Sequence, residues 1–108
     1  MTVGTASKLV TPETKKIEKL LGSHFGRVEA YRFNSVSIRV RIIDKRFRGA
    51  SKVDRHQLVE PFLDQLPERT QQDIVFLLLL APEEEEKERG FASWLMNDEF
   101  ENPRPSSL

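Results

Sequence analysis

His24 and His56 are the only histidines in the chain, and there is no cysteine. Thiol catalysis, disulfides and cysteine ligands to zinc or iron–sulfur clusters are therefore excluded. His56 sits in the stretch DKRFRGASKVDRHQL, beside Arg55 and close to Asp54. As a general base or metal ligand it would need converging partners. No HxxxH, no HExxH and no second histidine on one helical face supplies them. With Val53 at i−3 and Val59 at i+3 it is expected to be a partly buried histidine that bonds backbone or a carboxylate. His24 follows the glycine that ends the first helix, where it can meet the negative end of the dipole.

Two charge clusters remain. The acids Glu83 to Glu86 invite a metal reading, but helical geometry spreads four consecutive side chains around the axis, so a solvated helix start is expected. Arg32, Arg39 and Arg41, with Lys45, Arg46 and Arg48, form the local basic concentration. It could contact phosphates, with Tyr31 or Phe33 for base stacking. The favoured alternative is a solvated or salt-bridged sheet face under the acidic C-terminal helix. Glycine-rich phosphate loops, serine nucleophile elbows and paired glycosidase-like acids are absent from the sequence. No enzyme, metal or cofactor is expected.

The elements that must position these residues follow from pattern. Thr11-Pro12-Glu13 starts a helix, with Thr as N-cap and Pro at the first helical position. Ile17, Leu20 and Leu21 give it one apolar stripe, and Gly22 is placed to end it. A weak period-2 segment from Val28 to Phe33 and a clear one from Val36 to Ile42 make two strands joined at Asn34-Ser35. The second strand is expected to turn Val36, Ile38, Val40 and Ile42 to the core and Arg39 and Arg41 to the other face. Phe47-Arg48-Gly49-Ala50 leads out of the sheet, and Ser51 with Asp54 caps a second helix. Pro61 predicts a kink or restart, with 68–72 a polar connection.

Residues 73–80, DIVFLLLL, read as a strand covered on both faces and, after a helical crossover, parallel to the second strand. From Pro82 a last helix is expected, with Glu83–Lys87 and Glu85–Arg89 pairs and an apolar stripe of Phe91, Trp94 and Leu95. The expectation is an α+β single domain, α-β-β-α-α-β-α with a three-stranded mixed sheet packed by helices. It spans 11–97, between a flexible arm at 1–10 and a flexible tail at 98–108.

Composition agrees with this. At 108 residues the chain is one domain, large enough to bury roughly 65% of its unfolded surface. Its 17 basic and 17 acidic residues cancel, so no global field attracts nucleic acid or anionic lipid. No apolar run reaches membrane length, and MTVGTASKLV lacks a secretion signal's apolar core, which makes a cytoplasmic location the default expectation.

The stretch IRVRIIDKRFRGASKVDRHQLV, residues 38–59, resembles the BolA family. In that family an apolar strand leads into a phenylalanine-x-glycine turn and a helix bearing arginine-histidine and a following valine. Phe47, Gly49, Arg55, His56 and Val59 match, and the likeness extends more loosely over 12–90. The resemblance implies a fold like type II KH domains. It also implies partnership with monothiol glutaredoxins around a shared iron–sulfur cluster, or, for some members, DNA binding. The family's cluster ligands are a cysteine or histidine in the loop between the first two strands and a histidine early in the last strand. Here that loop is about Asn34-Ser35, and the last-strand position holds Val75. The surviving Arg55-His56 pair is the helix signature, and no GxxG loop lies between the helical segments to clamp a nucleic-acid backbone.

The reading is a non-enzymatic binding or adaptor module. Protein–protein interaction through Phe91, Trp94 and Leu95 or the sheet edge comes first. Nucleic-acid binding through Arg32, Arg39, Arg41, Lys45, Arg46 and Arg48 is the alternative, and a cluster-free partner of a monothiol glutaredoxin the third.

Overall fold

Thr11 caps the first helix, α1 (Pro12–Gly22), in a computed structural model that describes residues 9–85 and 100. The Thr11 side chain accepts from the Thr14 amide at 3.3 Å, and Thr14 Oγ1 accepts from the Thr11 amide at 2.9 Å. This is a capping box with threonine in the position usually held by Glu or Gln. Ile17 and Leu21 are wholly buried. Gly22 is the last helical residue, and Ser23 closes the end with right-handed geometry (φ −77°).

The next two strands, β1 (Arg27–Asn34) and β2 (Ser37–Ile43), pair antiparallel from Arg27↔Ile43 to Asn34↔Ser37. The turn is therefore Ser35-Val36, one residue later than the sequence pattern indicated. Asn34 Oδ1 accepts from the Val36 amide at 2.9 Å, which takes Val36 out of the strand and leaves it 61% exposed. Ile38, Val40 and Ile42 do face the core at 0% exposure. Arg39 and Arg41 lie on the opposite face, as period 2 requires.

After β2, a short 3-10 turn (Lys45–Phe47) buries Phe47 completely, and Gly49 takes the positive φ of 71° that glycine tolerates best. Ser51 caps α2 (Lys52–Leu63) by accepting from the Asp54 amide at 3.1 Å. Pro61 neither kinks nor restarts the chain. It lies in the last turn, where only the Gln57 carbonyl loses a donor, and Asp64 closes the helix on Glu60 at 2.9 Å. The second helical piece is instead α3 (Glu68–Asp73), where a polar connection was expected. Polar bonds hold it. Gln71 Nε2 donates to the Leu66 carbonyl at 2.7 Å, the Gln71 amide to Pro67 at 3.0 Å, and Thr70 is buried.

β3 (Ile74–Leu80) then pairs parallel to β2, giving the order β1-β2-β3 with β2 central. The chain is a single α+β domain. α1 and α2 cover one face of the sheet over a core of Ile17, Leu21, Ile38, Val40, Phe47 and Val59. On the other face Phe100, helical and wholly buried, packs with Tyr31, Ile43, Leu78 and Leu80. Leu9 bridges Arg32 on the outer side of β1. Leu9 and Phe100 are thus held, although the sequence reading assigned them to arm and tail. No described helix is long and apolar enough to cross a membrane.

Candidate functional site

Arg55 and His56 are neighbours with opposite fates. Arg55 lies against the sheet, its side chain 12% exposed. It donates to the Ala50 carbonyl (2.9 Å), the Leu79 carbonyl (2.9 Å) and both oxygens of Glu84 (2.6 and 2.9 Å). Hydrogen bonding to Arg55 holds the Glu84 carboxyl below its ordinary pKa. His56 is not partly buried as expected. Its side chain is 52% exposed, and its imidazole meets Glu60 at 3.6 Å. Val53, at i−3, is itself exposed, so it places no apolar edge there, whereas Val59 is in the core. Of the resemblance residues, Phe47 and Val59 are buried, Arg55 is bonded against the sheet, Gly49 makes the exposed turn, and the His56 side chain faces outward. His24 stacks on Phe62, ring centroids 4.2 Å apart.

Glu83, Glu84 and Glu85 do diverge, as helical geometry predicted, but each is partly buried against an arginine instead of freely solvated. Pro82–Glu85 form a 3-10 turn, and each acid meets a different element. Glu83 takes Arg48 (2.5 and 2.9 Å), Glu84 takes Arg55, and Glu85 meets Arg27, with Arg41 at 3.9 Å. Among the described residues no group of three His, Cys, Asp or Glu is arranged to hold a metal ion.

The basic concentration is largely spoken for. Arg32 pairs with Asp73 at 3.1 Å, and Arg41, 1% exposed, donates to Glu29 at 2.5 Å and lies 4.6 Å from the Phe100 ring. Arg39 stacks over Phe33 and Phe76 at 4.0 and 5.3 Å. Arg46 and Arg48 bond Asp44 and Glu83 while remaining half-exposed, and Lys45 is exposed. Five of these six cations thus already meet a carboxylate or an aromatic ring, for which a phosphate backbone would have to compete. Phe91, Trp94 and Leu95 lie outside the described residues.

Asp44 is a joint between segments. Its carboxylate accepts from the Gly26 amide (2.9 Å), the Arg46 amide (2.8 Å) and the Arg46 guanidinium (3.0 Å). The Arg46 side-chain bond is the main cause lowering its pKa from 3.8 to about 2, against the opposing effect of burial. A carboxyl with a depressed folded pKa contributes stability above its unfolded pKa and loses it as pH falls through the folded one. The domain is thus expected to lose about 1–2 kcal/mol between pH 4 and 2 through this group, the lower figure allowing for the half-exposed Arg46. Urea unfolding of Asp44→Asn beside the parent checks this. The stability gap between them should be open at pH 6 and narrow towards pH 2, whereas a constant gap would assign the loss elsewhere.

What the sequence reading mentioned only as a sheet edge is more fully formed. The Asp44 amide donates to the Leu80 carbonyl at 3.0 Å, so the polar groups of Leu80 face β2. By strand alternation Leu78 and Phe76 do the same, and Leu77 and Leu79 face outward. Arg55 on the Leu79 carbonyl agrees with that assignment. Among the described residues no strand pairs with this outer edge. The pairing register shifts between Ile38↔Ile74 and Arg39↔Phe76, so Val75 is the bulged residue, 65% exposed.

Beside the edge runs a groove under α2. One depression of about 310 Å³ is lined by His56, Glu60, Asp64, Val75 and Leu77 among others. A second of about 200 Å³ is lined by Lys52, Arg55, His56 and Leu77 to Leu80. His56 and Leu77 belong to both, at the middle of the groove. Its signal in the sequence is topological: a strand that follows a hairpin and a crossover ends at one edge of a three-stranded sheet.

Compared with known protein families, with curated proteins and with solved structures, the chain matches none.

Proposed function

We propose that this domain is a non-enzymatic, BolA-like adaptor that binds another protein through the outer edge of β3. The observation that carries the reading is the edge at Leu77 and Leu79, joined by no strand among the described residues and lying beside the α2 groove. A partner strand completes such an edge by main-chain bonding, and the groove takes its side chains. Nothing in this requires a cofactor, and a cytoplasmic setting suits it. A monothiol glutaredoxin is the partner class suggested by the resemblance at Phe47, Gly49, Arg55, His56 and Val59. With Val75 in place of the expected histidine, such docking would be cluster-free. Nucleic-acid binding through Arg32, Arg39, Arg41, Lys45, Arg46 and Arg48 has less support, because most of those cations already have carboxylates or aromatic rings.

The test is a titration with purified monothiol glutaredoxin, using the parent and Val75→Lys. Lysine on an exposed edge opposes strand addition and, at an exposed position, should change stability by no more than about 0.5 kcal/mol. Binding by the parent and an affinity loss of about tenfold or more in Val75→Lys are expected. Duplex and single-stranded DNA, titrated at 50 and 200 mM salt, form the counter-test. Tight binding that falls by about a thousandfold across that range would move the function to nucleic acid.

A further inference from the structure

The charges along the groove specify which strand it accepts. Lys52 lies at the end beside Leu79 and Leu80, and Glu60 and Asp64 at the end beside Ile74 and Val75. Lys52 and Glu60 are separated along α2 by about 12 Å at 1.5 Å per residue. A strand advances about 13–14 Å over four residues, so its positions i and i+4 span the same interval. Position i+2 then falls over His56 and Leu77.

Leu77 offers both its N–H and its C=O outward. An antiparallel strand exchanges both bonds with one opposing residue, in a geometry more stable per residue than the slanted bonds of a parallel one, and that direction is taken here. That residue's side chain points to the same face as the Leu77 side chain, which is the groove face. The residue two positions earlier lies opposite Leu79, can accept from the Leu79 amide, and points towards Lys52. The residue two positions later points towards Glu60 and Asp64. We propose, building on the adaptor reading, that the β3 edge binds an extended peptide segment of the form acidic-x-apolar-x-basic, added antiparallel with its apolar residue over His56 and Leu77. A second copy of this chain is the competing occupant.

The experiment uses the full chain and short synthetic peptides carrying Glu-x-Leu-x-Lys, the charge-reversed Lys-x-Leu-x-Glu, and the first peptide N-methylated at the leucine nitrogen. Binding is followed by fluorescence anisotropy, with amide exchange at Leu77 and Leu79 read by NMR. The first peptide should bind saturably and protect both amides, and N-methylation should abolish binding by removing the donor to the Leu77 carbonyl. Reversing the charges should weaken binding about tenfold, and Lys52→Glu with Glu60→Lys should restore the reversed peptide. Binding indifferent to N-methylation would overturn strand addition. Equal affinity for both charge orders would overturn the charge pattern and leave strand addition standing. If light scattering finds a dimer that Val75→Lys dissociates, the edge belongs to a second copy and the proposal fails. If no peptide binds while glutaredoxin still does in a Val75→Lys-sensitive way, the peptide chemistry is wrong and the adaptor reading survives.

Discussion

Arg55→Ala is expected to destabilise the domain by about 3 kcal/mol, or a Tm lower by roughly 12–20 °C for a chain of this size. One guanidinium fastens the start of α2 to the last residues of β3 and to the turn after it. Its removal strands the Ala50 and Leu79 carbonyls and leaves Glu84, only 28% exposed, without its cation. The figure sits at the low end for a broken buried pair because Leu79 lies on the sheet's outer edge and water can reach it. Arg55→Lys should recover little, since an ammonium cannot hold two carbonyls and a bidentate carboxylate together. Urea unfolding of Arg55→Ala, Arg55→Lys, Glu84→Gln and the double variant measures this. A coupling of about 1–2 kcal/mol between Arg55 and Glu84 is expected at neutral pH. Because the Glu84 pKa is lowered in the fold, that coupling should be present above the ordinary value of 4.5, weaken below it, and be lost as pH falls through the lower folded value. A loss below 1 kcal/mol for Arg55→Ala would mean that water replaces the guanidinium at each site.

Phe100→Ala should cost about 3–5 kcal/mol, the range for a fully buried ring. Phe100 meets Tyr31 edge-on at 5.1 Å and covers Arg41 at 4.6 Å. Its loss opens the second sheet face and wets a guanidinium that is now 1% exposed in its pairing with Glu29. Phe100→Leu keeps much of the apolar volume and should cost less than half as much. Urea midpoints and slopes of the two variants decide it. A loss under 1 kcal/mol for the alanine variant would show that the sheet face closes without this ring.

The strands were legible because their chemistry is local. Alternation in Ile38, Arg39, Val40, Arg41 and Ile42 fixed both faces of β2, and the run DIVFLLLL marked β3 and its parallel pairing. The caps at Thr11 and Ser51 were legible for the same reason. α3 was not, because ERTQQD has no apolar period and is held by Gln71 and Thr70. Val36 was misplaced by one residue because the bond from its amide to Asn34 Oδ1, not its β-branched side chain, decides its position. For His56 the i−3 valine misled: one flank of a helix faces the sheet and the other does not, and Arg55 took the inward place. The acids at 83–85 could be seen to diverge, but their cations come from Arg27, Arg41, Arg48 and Arg55, and no local rule names such partners. The edge was foreseeable from topology. Its charged groove was not, since Lys52, Glu60 and Asp64 look like any solvated helix face until β3 is laid beside them.

The parallel partnership of β2 and β3 also orders the events of synthesis. The β1–β2 hairpin closes over Ser35 and Val36 and can form once residue 43 is free of the ribosome. β3 can join only after residues 44–73 have been made and looped back, and the chain entropy lost in that closure is repaid late. Until Leu80 emerges, β2 offers an unpaired side of its own. The nascent domain therefore presents first the side of β2 that β3 will occupy, and once β3 has joined, its far side takes that place.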